Sequence, residues 1–383
     1  MQTLTPSCEA DLAEVVATAA SSATRLRIAG GGTRAAIGQA IETDATLSTT
    51  GLTGIKLYEP GSLNMVVRAG TPLAEVTAAL DAENQQLAFE PMDHRAILGS
   101  NGTPTVGGMV AAAVSGPRRT LVGACRDHLL GVRFVNGRGE VLKNGGRVMK
   151  NVTGLDLAKL MCGAYGTLGV LTELSLKTLP RAETAQTLAF PGLSVAQATT
   201  LFCTALGTPY EISGAAWTGG TAYLRLEGFD IQLSNRTTQL QALFKAHQST
   251  VITGAAHIAL WSDIRDVQAF SGRAGSLWRL CVKPTDAAAI VTHLNATLQG
   301  EANLDWGGGL IWLAVPEGHT HPAAQIRETL APLGGHATLI KGDTTLRRDA
   351  PVFQPQAPAL ARISAGLRAK FDPQNILNPG LMG

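Results

Sequence analysis

Three consecutive glycines, Gly30 to Gly32, follow a short run of mostly apolar residues in the stretch RLRIAGGGTRAAIG. The run predicts a β-strand over Arg25–Ala29, and the glycines predict a loop directly after it. A loop without side chains lets backbone N–H groups converge on an anion, which is a common way to hold a phosphate. Phosphate binding is therefore the chemistry that this stretch indicates.

Two further glycine clusters occur in the same half of the chain, GTPTVGGMVAAAVSG over 102–116 and CGAYGTLGVLTEL over 162–174. An isolated glycine most often serves a tight turn, and that interpretation stays open for any single one of them. Three separate loops with so few side chains indicate instead one large ligand that lies along all three.

The first loop also satisfies the loose dinucleotide pattern G-x-G-x-x-G/A between Gly30 and Ala35. A Rossmann fold would place an acidic residue about 20 residues further on, at the end of the next strand. The region around Thr49–Leu52 has no such residue, and Gly38 interrupts the stretch that would have to form the crossover helix. The sequence therefore disfavours a Rossmann fold.

Side chains for catalysis are sparse. His319 and His321, with Glu317 nearby, have the spacing of a metal site, but a surface loop is the alternative and we expect no metal. Arg279, in a predicted strand, is the candidate clamp for a carboxylate, and a strand arginine that faces water is the alternative. His336, in a glycine-rich turn, is the second catalytic candidate, with a purely structural histidine as the alternative.

The elements that would position these residues follow from periodicity and capping. We predict a helix over Ser7–Ser21 that Ser7 caps, and a second helix with Thr71 as cap and Pro72 as first residue. A hairpin is predicted to turn at Asn136–Gly137. After Pro180, apolar segments alternate with helical stretches, which is typical of an α+β sheet domain.

Composition limits the classes of partner. The chain has 383 residues, 45% apolar and 16% charged, with a net charge of +2, so it has no bias towards nucleic acid. No signal peptide and no apolar run of membrane-spanning length is evident, and we expect a cytoplasmic protein. The five cysteines form no C-x-x-C pair, which indicates reduced thiols and no iron–sulfur cluster of the chain's own.

The order of the three glycine clusters resembles the FAD-binding domains of the vanillyl-alcohol oxidase / p-cresol methylhydroxylase family. The segments that carry the resemblance are GGGT, TVGGMVAAAVSGPRR, GACRDHLLGVRFVNGRGEVL and GLDLAKLMCGAYGTLGVLTEL, and FDPQNILNPG near residue 380 adds to it. Further along, GSLWRLCVKP, LDWGGGLIWLAVP and GGHATLIKG resemble the FAD-binding subunits of bacterial glycolate oxidases (glycolate dehydrogenases).

The resemblance implies an α+β fold. It consists of an FAD-binding domain with two α/β subdomains at residues 1–180, an α+β cap with an antiparallel sheet at 181–340, and a C-terminal segment at 341–383 that returns to the FAD-binding domain. Because the first loop lacks the histidine that this family uses for covalent attachment, we expect noncovalent FAD. The implied cofactor-binding residues are Gly30, Gly31, Gly32, Thr33 and Arg34 for the pyrophosphate, Thr105, Gly107 and Gly108 for the phosphates and ribityl chain, Ser115 and Gly116 near the flavin, Gly123 on the loop to Asp127, Gly169 and Val170 against the adenine half, and Asn378 beside the ring.

The implied function is that of an FAD-binding subunit of a complex that oxidises glycolate to glyoxylate. Its partners would be a larger homologous flavoprotein and an iron–sulfur subunit, and the complex would lie in the cytoplasm or against the inner face of the membrane. The alternative is a self-sufficient FAD-dependent dehydrogenase of D-lactate or another small 2-hydroxy acid. A flavin-free scaffold is disfavoured because all three glycine loops are intact.

Overall fold

Four β-sheets organise the chain in the computed structural model, which describes residues 2–148, 154–319 and 321–383. The strands are β1 (Gln2–Leu4), β2 (Leu26–Ala29), β3 (Ala45–Ser48), β4 (Ile55–Glu59), β5 (Asn64–Arg68), β6 (Gln85–Gln86), β7 (Leu129–Val135), β8 (Val141–Gly145), β9 (Val170–Lys177), β10 (Leu179–Pro180), β11 (Thr184–Pro191), β12 (Gly214–Thr218), β13 (Thr221–Gly228), β14 (Thr250–Thr253), β15 (Ser276–Cys281), β16 (Glu301–Asp305), β17 (Leu310–Val315) and β18 (His336–Lys341).

Helices pack on these sheets and connect them. They are α1 (Glu9–Ser21), α2 (Leu73–Ala82), α3 (Arg95–Leu98), α4 (Val106–Ala111), α5 (Arg119–Val122), α6 (Leu157–Met161), α7 (Val195–Leu206), α8 (Asp230–Leu243), α9 (Gly254–Arg265), α10 (Ala287–Leu298), α11 (Pro322–Leu330), α12 (Thr344–Asp349) and α13 (Pro358–Phe371).

The first sheet is small and parallel, in the order β1-β3-β2. Helix α1 packs on it through Leu12 and Val16, which are fully buried with Leu26 of β2. The expected cap of α1 was wrong by one residue, because the sulfur of Cys8 accepts the N–H of Asp11. The hydroxyl of Ser7 instead bonds the carboxylate of Asp11.

The second sheet is antiparallel and has the order β4-β5-β9-β7-β8. The predicted hairpin joins β7 to β8, and the side-chain oxygen of Asn136 accepts the N–H groups of Arg138 and Glu140 across its turn. Helix α2 begins at Leu73, after Pro72. The expected cap Thr71 was wrong, since its hydroxyl accepts the N–H of Gly54 instead and joins two loops.

The third sheet has eight antiparallel strands in the order β14-β11-β13-β12-β16-β17-β15-β18. One face is covered by α7, α8, α10 and α11 and holds fully buried residues such as Trp278 and Phe190. The opposite face contributes Leu277 and Trp312 to a core that also contains Phe89 of the preceding region. The two regions of the chain therefore share one hydrophobic core.

The fold class expected from the sequence, helices with antiparallel sheets, is confirmed. Strand β10 of the short β6–β10 pair precedes the eight-stranded sheet in the sequence. The strands of that sheet all fall between Thr184 and Lys341. The chain then returns to the first sheet. There Leu377 bridges to Leu26 of β2, and the N–H of Asn378 donates to the carbonyl of Leu26 at 2.9 Å. No helix among the described residues is long and apolar enough to cross a membrane.

Candidate functional site

The first glycine loop leaves β2 and closes directly on the second glycine loop. The carbonyl of Gly31 accepts the N–H of Thr103 at 3.1 Å. A Cβ on Gly31 would lie 1.8 Å from the Thr103 carbonyl oxygen, and one on Gly102 would lie 1.8 Å from the Gly31 oxygen. A Cβ on Gly30 would likewise lie 2.4 Å from the Thr105 hydroxyl. What lies against Gly30 and Gly31 is thus the protein's own backbone and a threonine.

Gly32 has a different environment. Its φ is +79°, and a Cβ there would meet nothing within 4 Å. Thr105 caps α4, and its hydroxyl accepts the N–H of Gly108 at 3.3 Å. Gly107 packs on Ala69, to whose carbonyl it donates at 2.7 Å. Gly32 therefore borders open space, whereas a Cβ on Gly108 would lie 3.2 Å from the Thr105 hydroxyl and 3.7 Å from the Arg34 guanidinium. Gly107 allows α4 to approach the end of β5.

A cavity of about 110 Å³ lies where these loops meet. This is small beside the roughly 300–1,000 Å³ of typical ligand pockets, so a dinucleotide must extend past it at both ends. The cavity lies between the first two glycine loops, the third loop and the C-terminal residues. Residues expected from the sequence that line it are Gly30, Gly31, Gly32, Thr33, Arg34, Thr105, Gly108 and Asn378.

Arg34 supplies a positive charge to this cavity. Its guanidinium donates to Nδ1 of His94 and to the carbonyl of Met92, each at 3.2 Å. No carboxylate lies within ion-pair distance of it among the described residues. Burial lowers the pKa of Arg34, and burial together with the charge of Arg34 lowers the pKa of His94 well below its usual value. A guanidinium so placed lacks a counter-ion, and an anionic phosphate would provide one.

Asn378 joins the tail to both walls of the cavity. Its side-chain oxygen accepts the N–H of Ile28 and its side-chain nitrogen donates to the carbonyl of Tyr165, each at 2.8 Å. The third glycine loop passes close by, and a Cβ on Gly166 would lie 3.0 Å from the Asn378 nitrogen. Tyr165, from the same loop, lines the cavity with Asn378.

Gly169 and Val170 do not line the cavity. A Cβ on Gly169 would lie 2.7 Å from the ring of Phe134 and 3.0 Å from the carbonyl of Val135. Val170 begins β9 and is fully buried against α1. These two residues support the third loop from the core of the protein.

Ser115, Gly116 and Gly123 shape the loop between α4 and β7. The hydroxyl of Ser115 accepts the N–H of Cys125 at 2.9 Å. Gly116 accepts the indole N–H of Trp306 at 3.0 Å, which connects this loop to the eight-stranded sheet. Gly123 has a φ of +89° and packs against Asp127. None of the three lines the 110 Å³ cavity.

Two arginines share the ring of Trp306. The guanidinium carbon of Arg119 lies 4.3 Å from the ring centre and that of Arg279 lies 5.1 Å from it. Burial and the charge of Arg279 lower the pKa of Arg119. Neither arginine has a carboxylate within ion-pair distance among residues 2–148, 154–319 and 321–383. The pair is suited to binding an anion, and sequence reasoning missed Arg119 because nothing in the sequence connects it to Arg279.

Arg279 does not face bulk water as a surface arginine would. It lies opposite Trp312 of β17, with Leu277 two residues away on the same sheet face, and both belong to the shared core. Its charge also reaches the glycine-loop cavity, where it opposes the rise that burial causes in the pKa of Tyr165. Arg279 therefore lies near the cavity, although it does not line it.

His336 begins β18 and lies opposite Cys281 of β15. Burial acts to raise the pKa of the Cys281 thiol, but the hydrogen bond with His336 and the charge of Arg279 outweigh it, so the pKa is lowered. The His336 side chain is exposed. His319 and His321 line a separate cavity with Glu317, and no metal-binding group of three His, Cys, Asp or Glu residues occurs in the part of the chain that the structure describes.

Comparison with known proteins places this geometry in context. A family profile described as "FAD binding domain" matches residues 2–145. The chain is 36% identical to the glycolate oxidase subunit GlcE of Escherichia coli over 375 residues, which is 97% of this chain and 96% of the relative. It is also 33% identical to a D-lactate dehydrogenase of Anaerostipes hadrus over 38% of this chain and 29% of that protein.

Shorter and more distant similarities agree with these. The glycolate oxidase subunit GlcD of Bacillus subtilis is 38% identical over 22% of this chain and 18% of its own. Among solved structures, alkyldihydroxyacetonephosphate synthase superposes with a TM-score of 0.70 at 13% identity, over 98% of this chain and 75% of that one. At that identity the superposition shows a shared fold alone.

Proposed function

This chain belongs to the family of the glycolate oxidase subunit GlcE and is an FAD-dependent oxidoreductase, and from that premise we propose that it is the FAD-binding subunit of a complex that oxidises glycolate to glyoxylate. The observation that carries the proposal is the convergence of three glycine loops and Asn378 on one cavity, near two arginines for which the described part of the chain offers no carboxylate within ion-pair distance. The substrate is assigned from the full-length relative.

The residues around the cavity fit the cofactor. Arg34 offers an uncompensated charge to the pyrophosphate, and the open side of Gly32 leaves room for it. We assign three further roles among the expected cofactor residues. Thr33, Thr105 and Gly108 border the phosphates; Gly30, Gly31 and Gly107 let the loops close; and Ser115, Gly116, Gly123, Gly169, Val170 and Asn378 hold the loops at the two ends. The first loop has no histidine, so the FAD is noncovalent.

Arg119 and Arg279 bind the carboxylate of the 2-hydroxy acid in this proposal. Both guanidiniums lie against the ring of Trp306, so two positive charges are held close to one place where a carboxylate can bind. FAD, when bound, supplies the acceptor for the two electrons of the oxidation. His336, with Cys281 beside it, is the candidate to take the hydroxyl proton.

Electrons leave through partner subunits in this proposal. Reduced FAD holds two electrons, whereas iron–sulfur centres take them singly, and the spread-out cysteines of this chain do not form such a centre. We therefore infer an iron–sulfur subunit and a larger homologous flavoprotein as partners. The complex would be cytoplasmic or lie against the inner face of the membrane.

The test is the visible spectrum of the purified chain during anaerobic addition of glycolate. We expect a yellow protein whose FAD is released by acid. Glycolate should bleach this FAD slowly or not at all in the isolated chain, and rapidly in the complex. Arg279→Gln should raise the glycolate concentration needed for half-maximal bleaching in the complex by about 10- to 100-fold, as expected for the loss of a charge-assisted hydrogen bond. Arg138→Gln, in an exposed hairpin turn, is the matched control.

The second candidate is a self-sufficient dehydrogenase of D-lactate or another small 2-hydroxy acid. It is favoured by the arginine pair, because a carboxylate site in this chain would let it bind the substrate without a partner subunit. Rapid bleaching of the isolated chain by D-lactate or glycolate would establish this alternative and show that oxidation needs no partner subunit.

A further inference from the structure

Cys281, a half-buried cysteine, lies at the end of β15 among side chains that carry or can carry a positive charge. It follows Arg279 by two positions on the same strand, and it pairs with His336 across to β18. Side chains two positions apart on a strand point to the same face of a sheet and lie about 7 Å apart. Arg279, Cys281 and His336 therefore share one face of the eight-stranded sheet.

That face packs on the FAD-binding region. Leu310, the partner of Cys281 in β17, belongs to the core that the two regions share. Trp306 belongs to the same core, and its ring contacts the guanidiniums of Arg119 and Arg279. The Cys281 thiol is therefore on the same side of the sheet as the arginine pair.

The charges around Cys281 favour its ionised form. Burial acts to raise the pKa of the thiol, but the hydrogen bond with His336 and the charges of Arg279, His336 and Arg119 outweigh it, so the pKa is lowered. The thiolate, and not the thiol, is the nucleophilic form of cysteine. Arg119 and His336 are exposed, so this cluster is open to small solutes. Cys281 is thus a nucleophile within reach of solvent.

The arginine pair selects the molecules that this nucleophile meets. Within the described part of the chain, no carboxylate lies within ion-pair distance of Arg119 or Arg279, so both can bind an anion from solution. A small acid held there by its carboxylate brings its neighbouring carbon towards the sulfur of Cys281. A thiolate adds to that carbon where the carbon is electrophilic, as it is in an aldehyde. The cluster therefore suits a short acid with an aldehyde next to its carboxylate.

We propose that Cys281 is a covalent binding site for the aldehyde acid that the oxidation produces. The thiolate adds to the aldehyde carbon of glyoxylate: a C–S bond forms, the C=O double bond becomes a single bond, and its oxygen takes up a proton from solvent. The adduct is a hemithioacetal, and no electrons are gained or lost. The choice of glyoxylate rests on the proposed function, whereas the anion-directed thiolate rests on the side-chain cluster alone.

The adduct occupies the place where the proposed function binds the carboxylate of glycolate. Glyoxylate therefore inhibits the oxidation that forms it. Because the addition reverses without a further reagent, the inhibition ends when the concentration of glyoxylate falls.

The first test compares two alkylating reagents on the purified chain. Iodoacetate carries a carboxylate and iodoacetamide a neutral amide, and both transfer a two-carbon group to a thiolate with release of iodide. The ratio of the iodoacetate rate to the iodoacetamide rate, from mass spectrometry of peptides, should be at least about 10-fold higher at Cys281 than at the exposed Cys8 and Cys203. A charge-assisted hydrogen bond to the carboxylate accounts for a factor of this size.

Arg279→Gln should lower the rate ratio at Cys281 towards that of the two exposed cysteines. Arg273→Gln is the matched control and should leave the ratio unchanged. The guanidinium of Arg273 also lies 5.1 Å from the centre of an aromatic ring, that of Phe270, but it pairs with Glu301.

The second test detects the adduct itself. Glyoxylate should slow the alkylation of Cys281 by iodoacetamide, whereas acetaldehyde, which has no carboxylate, should not do so at the same concentration. Glyoxylate labelled with carbon-13 at its aldehyde carbon should give an additional NMR signal with the wild-type chain that is absent with Cys281→Ser. The comparisons within the wild-type chain do not depend on the folding of any variant.

Equal rate ratios at Cys281, Cys8 and Cys203 would overturn the anion-directed thiolate. Equal protection by acetaldehyde and glyoxylate, or a carbon-13 signal that persists in Cys281→Ser, would overturn the covalent site. If Cys281 prefers iodoacetate and binds glyoxylate but the complex does not oxidise glycolate, the proposed substrate falls and the covalent site stands. If the complex oxidises glycolate and Cys281 shows no preference, the covalent site falls and the proposed function stands.

Discussion

Single residues decide the charge of the candidate FAD site, and Arg34 is the first of them. Among the described residues, Arg27 and Arg34 are the cations that line the cavity between the first two loops. Replacing Arg34 by Gln removes one of them. We expect FAD affinity to fall about 10- to 100-fold, because a charge-assisted hydrogen bond to phosphate contributes about 1.5–3 kcal/mol. Titration of the apoprotein with FAD, followed by flavin fluorescence, measures this. Equal affinity of Arg34→Gln and the Arg138→Gln control would remove Arg34 from the site.

Asp305 is the residue from which we expect a pH dependence of stability. Burial raises its pKa to about 7, although its side chain accepts the N–H of Trp306. Between pH 4 and pH 7 the folded protein keeps a proton on Asp305 that the unfolded chain has released, so the contribution of this group to stability falls as pH rises.

Asp305→Asn keeps an acceptor for Trp306 and cannot ionise. As pH rises from 5.5 to 7, the free energy of unfolding of Asp305→Asn should therefore increase relative to that of wild type by about 2 kcal/mol. Denaturant unfolding of both proteins at the two pH values checks this. A stability difference that does not change with pH would mean that Asp305 is ionised throughout the range.

At the scale of elements, the two glycine loops depend on each other. Gly31→Ala places a Cβ 1.8 Å from the Thr103 carbonyl oxygen, so the loops cannot close. We expect a loss of at least ~2 kcal/mol of stability together with the loss of FAD. Gly32→Ala meets open space at φ +79°, so it should cost only about 1–2 kcal/mol while its Cβ enters the cavity and weakens FAD binding.

Thermal unfolding and FAD content separate the two effects. Gly61→Ala, where a Cβ also meets nothing within 4 Å, is the control for a glycine outside the loops. If Gly31→Ala were as stable as this control and lost only FAD, the close neighbour of Gly31 would be the cofactor after all. Unchanged FAD binding by Gly32→Ala would move the pyrophosphate away from this loop.

Local patterns predicted the elements better than they predicted contacts. The β7–β8 hairpin and α1 follow from turn residues and periodicity within a few positions, and the structure has both. The predicted caps Ser7 and Thr71 were wrong because their hydroxyls bond other groups. The hydroxyl of Ser7 bonds the carboxylate of Asp11, and that of Thr71 accepts the N–H of Gly54. Cys8 is seldom considered as a cap, although its sulfur takes that role here.

The parts of the site that were missed are long-range. Arg119 meets Arg279 only because Trp306 brings a loop of one region against the sheet of another. The close neighbour of Gly31 is Thr103, a residue more than 70 positions away, rather than a phosphate. No spacing rule within the sequence reports such contacts, which depend on how sheets pack.

For the whole molecule, a buried ion pair joins the region of the glycine loops to the eight-stranded sheet. Glu90 accepts two hydrogen bonds of 2.8 Å from Arg225, and one from the N–H of Arg118 at 2.7 Å. Arg118 also bonds Glu227 of the sheet. Burial acts to raise the pKa of Glu90, but the charges of Arg225 and Arg118 outweigh it and lower the pKa.

Glu90→Gln should therefore destabilise the protein by about 3–5 kcal/mol, since it leaves the buried Arg225 charge with only Glu227, at 3.8 Å, as a partner. The loss should shrink as pH falls below the ordinary range of a glutamate, because the unfolded wild-type chain then takes up a proton that folded Glu90, with its lowered pKa, does not bind. Thermal unfolding at pH 7 and pH 4 measures both, with the exposed Glu83→Gln as control. A Glu90→Gln protein as stable as the control would show that the two regions are held by their apolar core alone.

We propose that the chain divides at about residues 180 and 340, as expected from the sequence. The eight-stranded sheet spans Thr184 to Lys341, close to these positions, while the residues from Ile376 to Asn378 pair with β2. The shared core around Phe89 and Trp312 indicates that the cap and the FAD-binding region do not act as independent bodies.

The pairing of the tail with β2 also constrains how the protein is made. The Asn378 oxygen accepts the N–H of Ile28, a residue synthesised 350 positions earlier. On the ribosome, β2 and the first glycine loop emerge early. They lack the contact with Asn378 until the whole eight-stranded sheet has been translated. The cavity therefore has its full wall only after residue 378 has left the exit tunnel. We therefore expect cofactor loading only after residue 378 has emerged, and nascent chains stalled before that point should remain colourless.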